Sequence, residues 1–184
     1  MTHEEEEVFL KGEVGMSAKG KQLLVVITLL GVTTVCSVIG YHVYHRNDFK
    51  RAYEHGTLFE QLDVLMNSQR YVTVIEEAGY EVDKVDYIMY NRIVTLTTTG
   101  TPAITIESSS DSSAFFVTFE TTEDGQEVSV YFELDGDFNI AYQTVRDTQG
   151  NDVAITTTQQ TKLLNIVKKE VRKMLKTIYR TMYP

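Results

Sequence analysis

Carboxylates are the commonest groups in this chain that could do chemistry, with 26 Asp and Glu against 17 Lys and Arg and a formal net charge of −9. Glycoside hydrolysis needs two carboxyls at a set separation. The alternating pattern of the chain's middle allows Glu120 and Glu133 to be cross-strand neighbours on a wet sheet face. A divergent carboxylate-dependent hydrolase is therefore one expectation. Asp135-Gly136-Asp137-Phe138-Asn139 starts like a calcium loop, but Ile140 stands where the required glycine belongs and no Glu occupies the twelfth position. Asp-Gly between alternating strands is a turn in its own right, and a turn is the expectation there. His42 and His45 sit at i and i+3 without further ligands in sequence. No histidine follows His55, which excludes the common Ser-His-Asp and Cys-His arrangements from the rest of the chain. The single cysteine, Cys36, excludes an internal disulfide and a cysteine-rich zinc site. Neither G-x-x-x-x-G-K-[ST] nor G-x-G-x-x-G occurs. No metal, cofactor or catalytic residue is expected, and the chain reads as non-enzymatic.

The cations are more orderly than the acids. From Asp48 to Asp152 there are 20 acidic and 6 basic residues, a balance of −14. From Gln159 onward 7 basic residues face only Glu170, a balance of +6. The acidic bulk repels phosphate, so nucleic acid is not an expected partner. Lys168, Lys169, Arg172, Lys173, Lys176 and Arg180, with Lys162, fall in one arc of about 140° on a helical projection of the last segment. Leu163, Leu164, Val167, Val171, Met174, Leu175, Ile178 and Met182 fall in a separate arc of about 120°. The apolar arc is suited to a sheet. The cationic arc is either a solvated face or a contact for anionic lipid, an anionic wall polymer or an acidic partner.

An apolar run has to hold these groups at a surface. Leu23 to Gly40 contains no charge, and Tyr41, Val43 and Tyr44 extend it. A bilayer-spanning helix needs about 20 such residues. Lys19 and Lys21 flank one end, and Tyr41, Tyr44 and Arg46 flank the other as interfacial anchors do. A transmembrane helix over 22–45 is the expectation, after a short polar tail over 1–21 and before a juxtamembrane connector over 46–56. Cleavage after Val38-Ile39-Gly40 would make the run a signal peptide, but it exceeds the usual apolar core of one. Thr33, Ser37 and Gly40 fall near one helix face, where small residues allow a second helix to approach and the chain to self-associate. Basic flanking residues number three on each side. The two lysines nearest the run favour a cytoplasmic N-terminus and an extracytoplasmic domain.

Residues 57–184 read as an α+β domain. Thr57 to Glu60 fits a capping box opening a helix that carries Leu58, Leu62, Leu65 and Met66. A second helical stretch runs to Ala78. The middle alternates with period two, through Val85, Tyr87 and Met89, then Ile93 to Thr98, Ala103 to Glu107, Phe115 to Phe119, Val128 to Leu134, and Phe138, Ile140 and Tyr142. Glu123-Asp124-Gly125-Gln126 is a hairpin turn. An antiparallel meander of about five strands is expected, with the final helix, Gln159 to Met182, laid across its apolar face. Thr157 and Gln160 are placed for its capping box.

A hydrophobic N-terminal helix followed by an antiparallel sheet resembles the pilin plan. Lys19-Gly20 offers a cleavage point, but Lys21 stands where an aromatic or Met is usual and Val25 where pilins carry Glu. The resemblance implies a structural subunit. The leading expectation is a membrane-anchored, non-enzymatic accessory module that engages a partner protein or an envelope component.

Overall fold

The computed structural model describes residues 18–87, 90–108 and 113–184, with side chains over 26–37, 47–84, 92–108 and 113–184. The chain divides into two compact units, Met1–His45 and Arg46–Pro184.

In the first unit the described structure is helix. It is the earlier part of α1 (Ala18–His55). Val26, Ile27, Leu29, Leu30, Val32 and Val35 are all exposed, at 51 to 62%. Among the described residues no helix is long and apolar enough to cross a membrane. Side chains of the apolar run are described over 26–37, fewer than the roughly 20 residues that a span requires.

The second unit is α+β. It opens with the last part of α1, where Phe49 is fully buried against Tyr53 and Tyr71, at ring centroid distances of 6.2 and 5.7 Å. The segment that sequence presents as a polar connector thus supplies a core ring. Then come α2 (Leu58–Met66), a 3₁₀ turn (Gln69–Tyr71) and α3 (Val72–Glu77). The α2 capping box forms as expected: Glu60 N–H donates to Thr57 Oγ1 at 3.2 Å, and Thr57 N–H donates to Glu60 Oε2 at 2.6 Å. The helical stretch that follows is not continuous with it. Asn67 ends α2, and the Ser68 hydroxyl accepts from Arg70 N–H to start the 3₁₀ turn, so the chain changes direction there.

Six strands follow, one more than the meander expected from sequence: β1 (Glu81–Tyr87), β2 (Tyr90–Thr97), β3 (Ile104–Ser108), β4 (Phe115–Glu123), β5 (Gln126–Leu134) and β6 (Ile140–Asp147). They pair antiparallel in chain order. The β4–β5 turn has Asp124 at φ +50° and Gly125 at φ +82°. Two consecutive left-handed residues are what a tight two-residue hairpin requires, and Asp-Gly tolerates them.

One face of the sheet is buried. A row runs across it from Val82 through Leu96, Ile106, Val117 and Phe132 to Gln143, and the next row holds Ile104, Phe119, Val130 and Val145. Helix α4 (Thr157–Met182) packs there through Leu163, Val167, Val171, Met174, Leu175, Ile178 and Met182. Its apolar arc is the one read from sequence, except that Leu164 is only half-buried. The capping box sits one residue earlier than expected. Thr156 is the N-cap, with Gln159 N–H donating to its hydroxyl at 3.2 Å and Thr156 N–H donating to Gln159 Oε1 at 2.8 Å. α2 and α3 lie beside α4 and complete the helical layer. Two layers around one core hide what the sheet alone would leave wet.

Glu170, also on the covered side of α4, is buried at 9% exposure. Its carboxylate lies against Gly100 in the β2–β3 loop, where a Cβ would collide with Glu170 Oε2 and lie 3.0 Å from its Cδ. Gly100 is the residue that lets loop and helix come this close.

Candidate interaction surfaces

Three features of the described structure present chemistry to the outside. The first is the cationic face of α4. Lys169, Arg172, Lys173, Lys176 and Arg180 are exposed along it, while Lys168 is half-buried. Two cations of α4 are engaged with acids of the same unit. Lys162 Nζ donates to the buried Glu123 at 2.8 Å, and Lys173 Nζ lies 3.7 Å from Glu170. Among the described residues, Lys169, Arg172, Lys176 and Arg180 have no ion-pair partner. Near the C-terminus of α4, Tyr179 stacks on Tyr53 at 4.2 Å and its hydroxyl donates to Glu54 at 2.8 Å. That hydrogen bond to a carboxylate raises the Tyr179 phenol above its ordinary value. These contacts fix the end of the basic helix to the last turns of α1.

The second feature is the uncovered face of the sheet. Period two sends Phe116, Tyr131 and Tyr142 to it from three adjacent strands. Phe116 and Tyr131 stack at 6.1 Å, and Tyr131 and Tyr142 meet edge-on at 6.3 Å. Sequence alternation groups Tyr142 with Ile140 and Phe138, but the structure separates them. Phe138 lies in the turn before β6 with φ +60°, and a bulge pairs Leu134 with Ile140 but Glu133 with Tyr142. A bulge shifts the alternation by one residue, so Tyr142 turns outward and is 58% exposed. Burial first, then the charges of Glu133 and Glu107, raise the Tyr131 phenol above its ordinary value.

A cleft of about 830 Å³ includes Glu120, Ser129 and Arg146 of the same face, together with Thr101, Glu127 and Asp147. The expected cross-strand pairing of Glu120 with Glu133 does not form. Glu120 pairs with Ser129, and Glu133 pairs with Phe116, four residues earlier on β4. At about 3.4 Å per residue the two carboxylates are not neighbours. Glu127 is diagonal to Glu120 across the β4–β5 pair, and both are exposed.

The third feature is the exposed apolar helix of the first unit. Of its expected contact residues, Thr33 and Ser37 are exposed, whereas Gly40 lies outside the residues described at side-chain level, as do His42 and His45. The Thr33 hydroxyl donates to Leu29 O at 2.6 Å, and that of Thr34 donates to Leu30 O at 2.8 Å. Cys36 is exposed on the same stretch.

The Asp135 loop is a turn. Asp135 Oδ1 accepts from the N–H groups of Asp137 and Asn139, at 3.0 and 2.9 Å, and Phe138 N–H donates to Asp135 O at 2.8 Å. A carboxylate that closes its own turn in this way is an Asx motif. Among the described residues no group of three His, Cys, Asp or Glu side chains is placed to hold a metal ion. Sequence reasoning missed the aromatic row, Glu170 and the Glu123–Lys162 pair. Only the first left a signal, in the outward positions of Phe116 and Tyr131. No protein-family model, no curated protein and no solved structure matches the chain.

Proposed function

We propose that the chain is a membrane-anchored, non-enzymatic binding module, with its N-terminus in the cytoplasm and its α+β unit outside. In this reading the helix over 22–45 spans the bilayer, and the α+β unit engages a partner protein or an envelope component through charged surface.

The observation that carries the reading is the ring of exposed apolar side chains from Val26 to Val35. A helix that is apolar all round is stable only when something apolar surrounds it. Covering each of these half-exposed side chains is worth roughly 1 kcal/mol, and six are affected. The hydroxyls of Thr33 and Thr34 are already bonded to their own helix, so they present no open donor to hydrocarbon. The binding role is supported by the exposed cations Lys169, Arg172, Lys176 and Arg180 of α4, which have no ion-pair partner among the described residues.

Two fractionation results test it together. The chain should stay in the membrane pellet under alkaline carbonate. A C-terminal tag should be digested when intact cells or spheroplasts are treated with protease. Release by carbonate removes the anchor, and a tag protected until lysis reverses the orientation.

A further inference from the structure

We propose that the uncovered face of the sheet is the docking site for the cationic face of α4 from a second copy of this chain. The inference deepens the binding role proposed above, because it names the partner. It rests on charge and spacing.

One row of the uncovered face reads Glu107, Phe116, Glu133, Tyr142 on four adjacent strands, an alternation of carboxylate and aromatic ring. Adjacent strands lie about 4.8 Å apart, which places the two carboxylates about 9.6 Å apart with a ring between them and another beside them. On α4, Lys169 and Lys176 are seven residues apart. At 1.5 Å per residue they are separated by about 10.5 Å and rotated by only about 20°. Arg180 follows about 6 Å further along nearly the same line, and Arg172 flanks it. A helix laid along that row sets its two lysines over the two carboxylates and its neighbouring cations over the rings. Carboxylates and aromatic faces are the two surfaces that attract ammonium and guanidinium groups.

The match cannot be made within one molecule. α4 covers the buried face of its own sheet, so its cations have no access to the opposite face. Each copy therefore keeps one acidic-aromatic face and one cationic face to offer, and the contact is heterologous. Anchoring in one membrane would raise the effective concentration of copies for each other.

The test uses the full-length chain in detergent micelles, with two affinity tags on two populations. A face variant carries Glu107→Lys and Glu133→Lys. A helix variant carries Lys169→Glu and Lys176→Glu. Wild-type copies should co-purify at low ionic strength and separate as salt rises. Each variant should lose association with itself by about tenfold or more, because like charges then meet. Mixing the two variants should restore it, since each supplies the complement that the other has reversed.

Wild-type copies that never associate overturn the proposal, as do variants that associate unchanged or a mixed pair that stays apart. A monomeric chain that instead captures poly-lysine peptide or a glycan on this face also overturns it. Should a reversal prevent folding, judged by loss of a cooperative thermal transition, Glu107→Gln with Glu133→Gln should still weaken association. Carbonate extraction separates the two readings. A chain that associates but leaves the membrane loses only the anchor, and one that stays but never associates loses only this docking contact.

Discussion

Replacing Phe49 by Ala tests whether the end of α1 belongs to the core of the α+β unit. The ring is fully buried and lies between Tyr53 and Tyr71. Removing a buried Phe costs about 3–5 kcal/mol, through lost transfer energy and the cavity left behind. Aromatic neighbours place this site towards the upper half of that range. For a unit of this size each kcal/mol lowers the melting temperature by roughly 3–5 °C, so a fall of about 10–20 °C is expected. Phe116→Ala is the internal comparison. Phe116 is half-buried on the uncovered face, and its loss should cost roughly 1 kcal/mol or less, a few degrees. The assay is thermal unfolding of the full-length chain in detergent, followed by near-ultraviolet circular dichroism. Equal falls for the two variants, or a fall below roughly 3 °C for Phe49→Ala, would refute the claim that this segment is core rather than connector.

Three further outcomes are expected. Thr156→Ala removes the cap acceptor for Gln159 N–H and should cost about 1 kcal/mol in chemical denaturation, with Thr156→Ser retaining most of it. Gly100→Ala drives a Cβ into the Glu170 carboxylate, the end of a flexible side chain that can shift, and should cost about 1 kcal/mol. That cost should shrink in a Glu170→Ala background, and strict additivity in the double-mutant cycle would show that loop and helix are not in contact. Asp147 accepts from the Asn151 side chain and from the N–H groups of Asn151 and Gln149, and these bonds hold its carboxyl below the ordinary 3.8. A folded value below the unfolded one stabilises the fold above the unfolded value, and the contribution is lost as pH falls through the folded one. Asp147→Ala should therefore be less stable than the parent at neutral pH, and the gap should close in that acid window on a pH series of melts.

Local chemistry was legible wherever it acts over a few residues. The Thr57–Glu60 capping box, the Asp124-Gly125 hairpin and the apolar arc of α4 each depend on spacing within one element, and all three form. The Asp135 turn belongs with them, because a short acceptor two and four residues before its donors needs no distant partner. The placement of the α4 cap at Thr156 rather than Thr157 shows the limit of that reading, since neighbouring threonines offer the same hydroxyl.

What only the tertiary structure decided are the relations between elements. Phe49 and Phe116 are the same residue in similarly mixed surroundings, yet packing buries one and leaves the other half-exposed. Alternation assigns a face only while the register is unbroken. The bulge opposite Glu133 breaks it, sends Tyr142 outward and completes the carboxylate-aromatic row. Register likewise set Glu120 opposite Ser129 instead of Glu133. Glu170 reads as a solvated charge in an otherwise basic helix, and it is buried because Gly100 approaches from a loop 70 residues away. The sequence by itself determined most of the helices, strands and turns, because those preferences are local, but not the number of strands or the break after α2. Which charges face each other, and which ring is core, depended on strand register and on the layer that α4 completes, and no spacing within a single element encodes either.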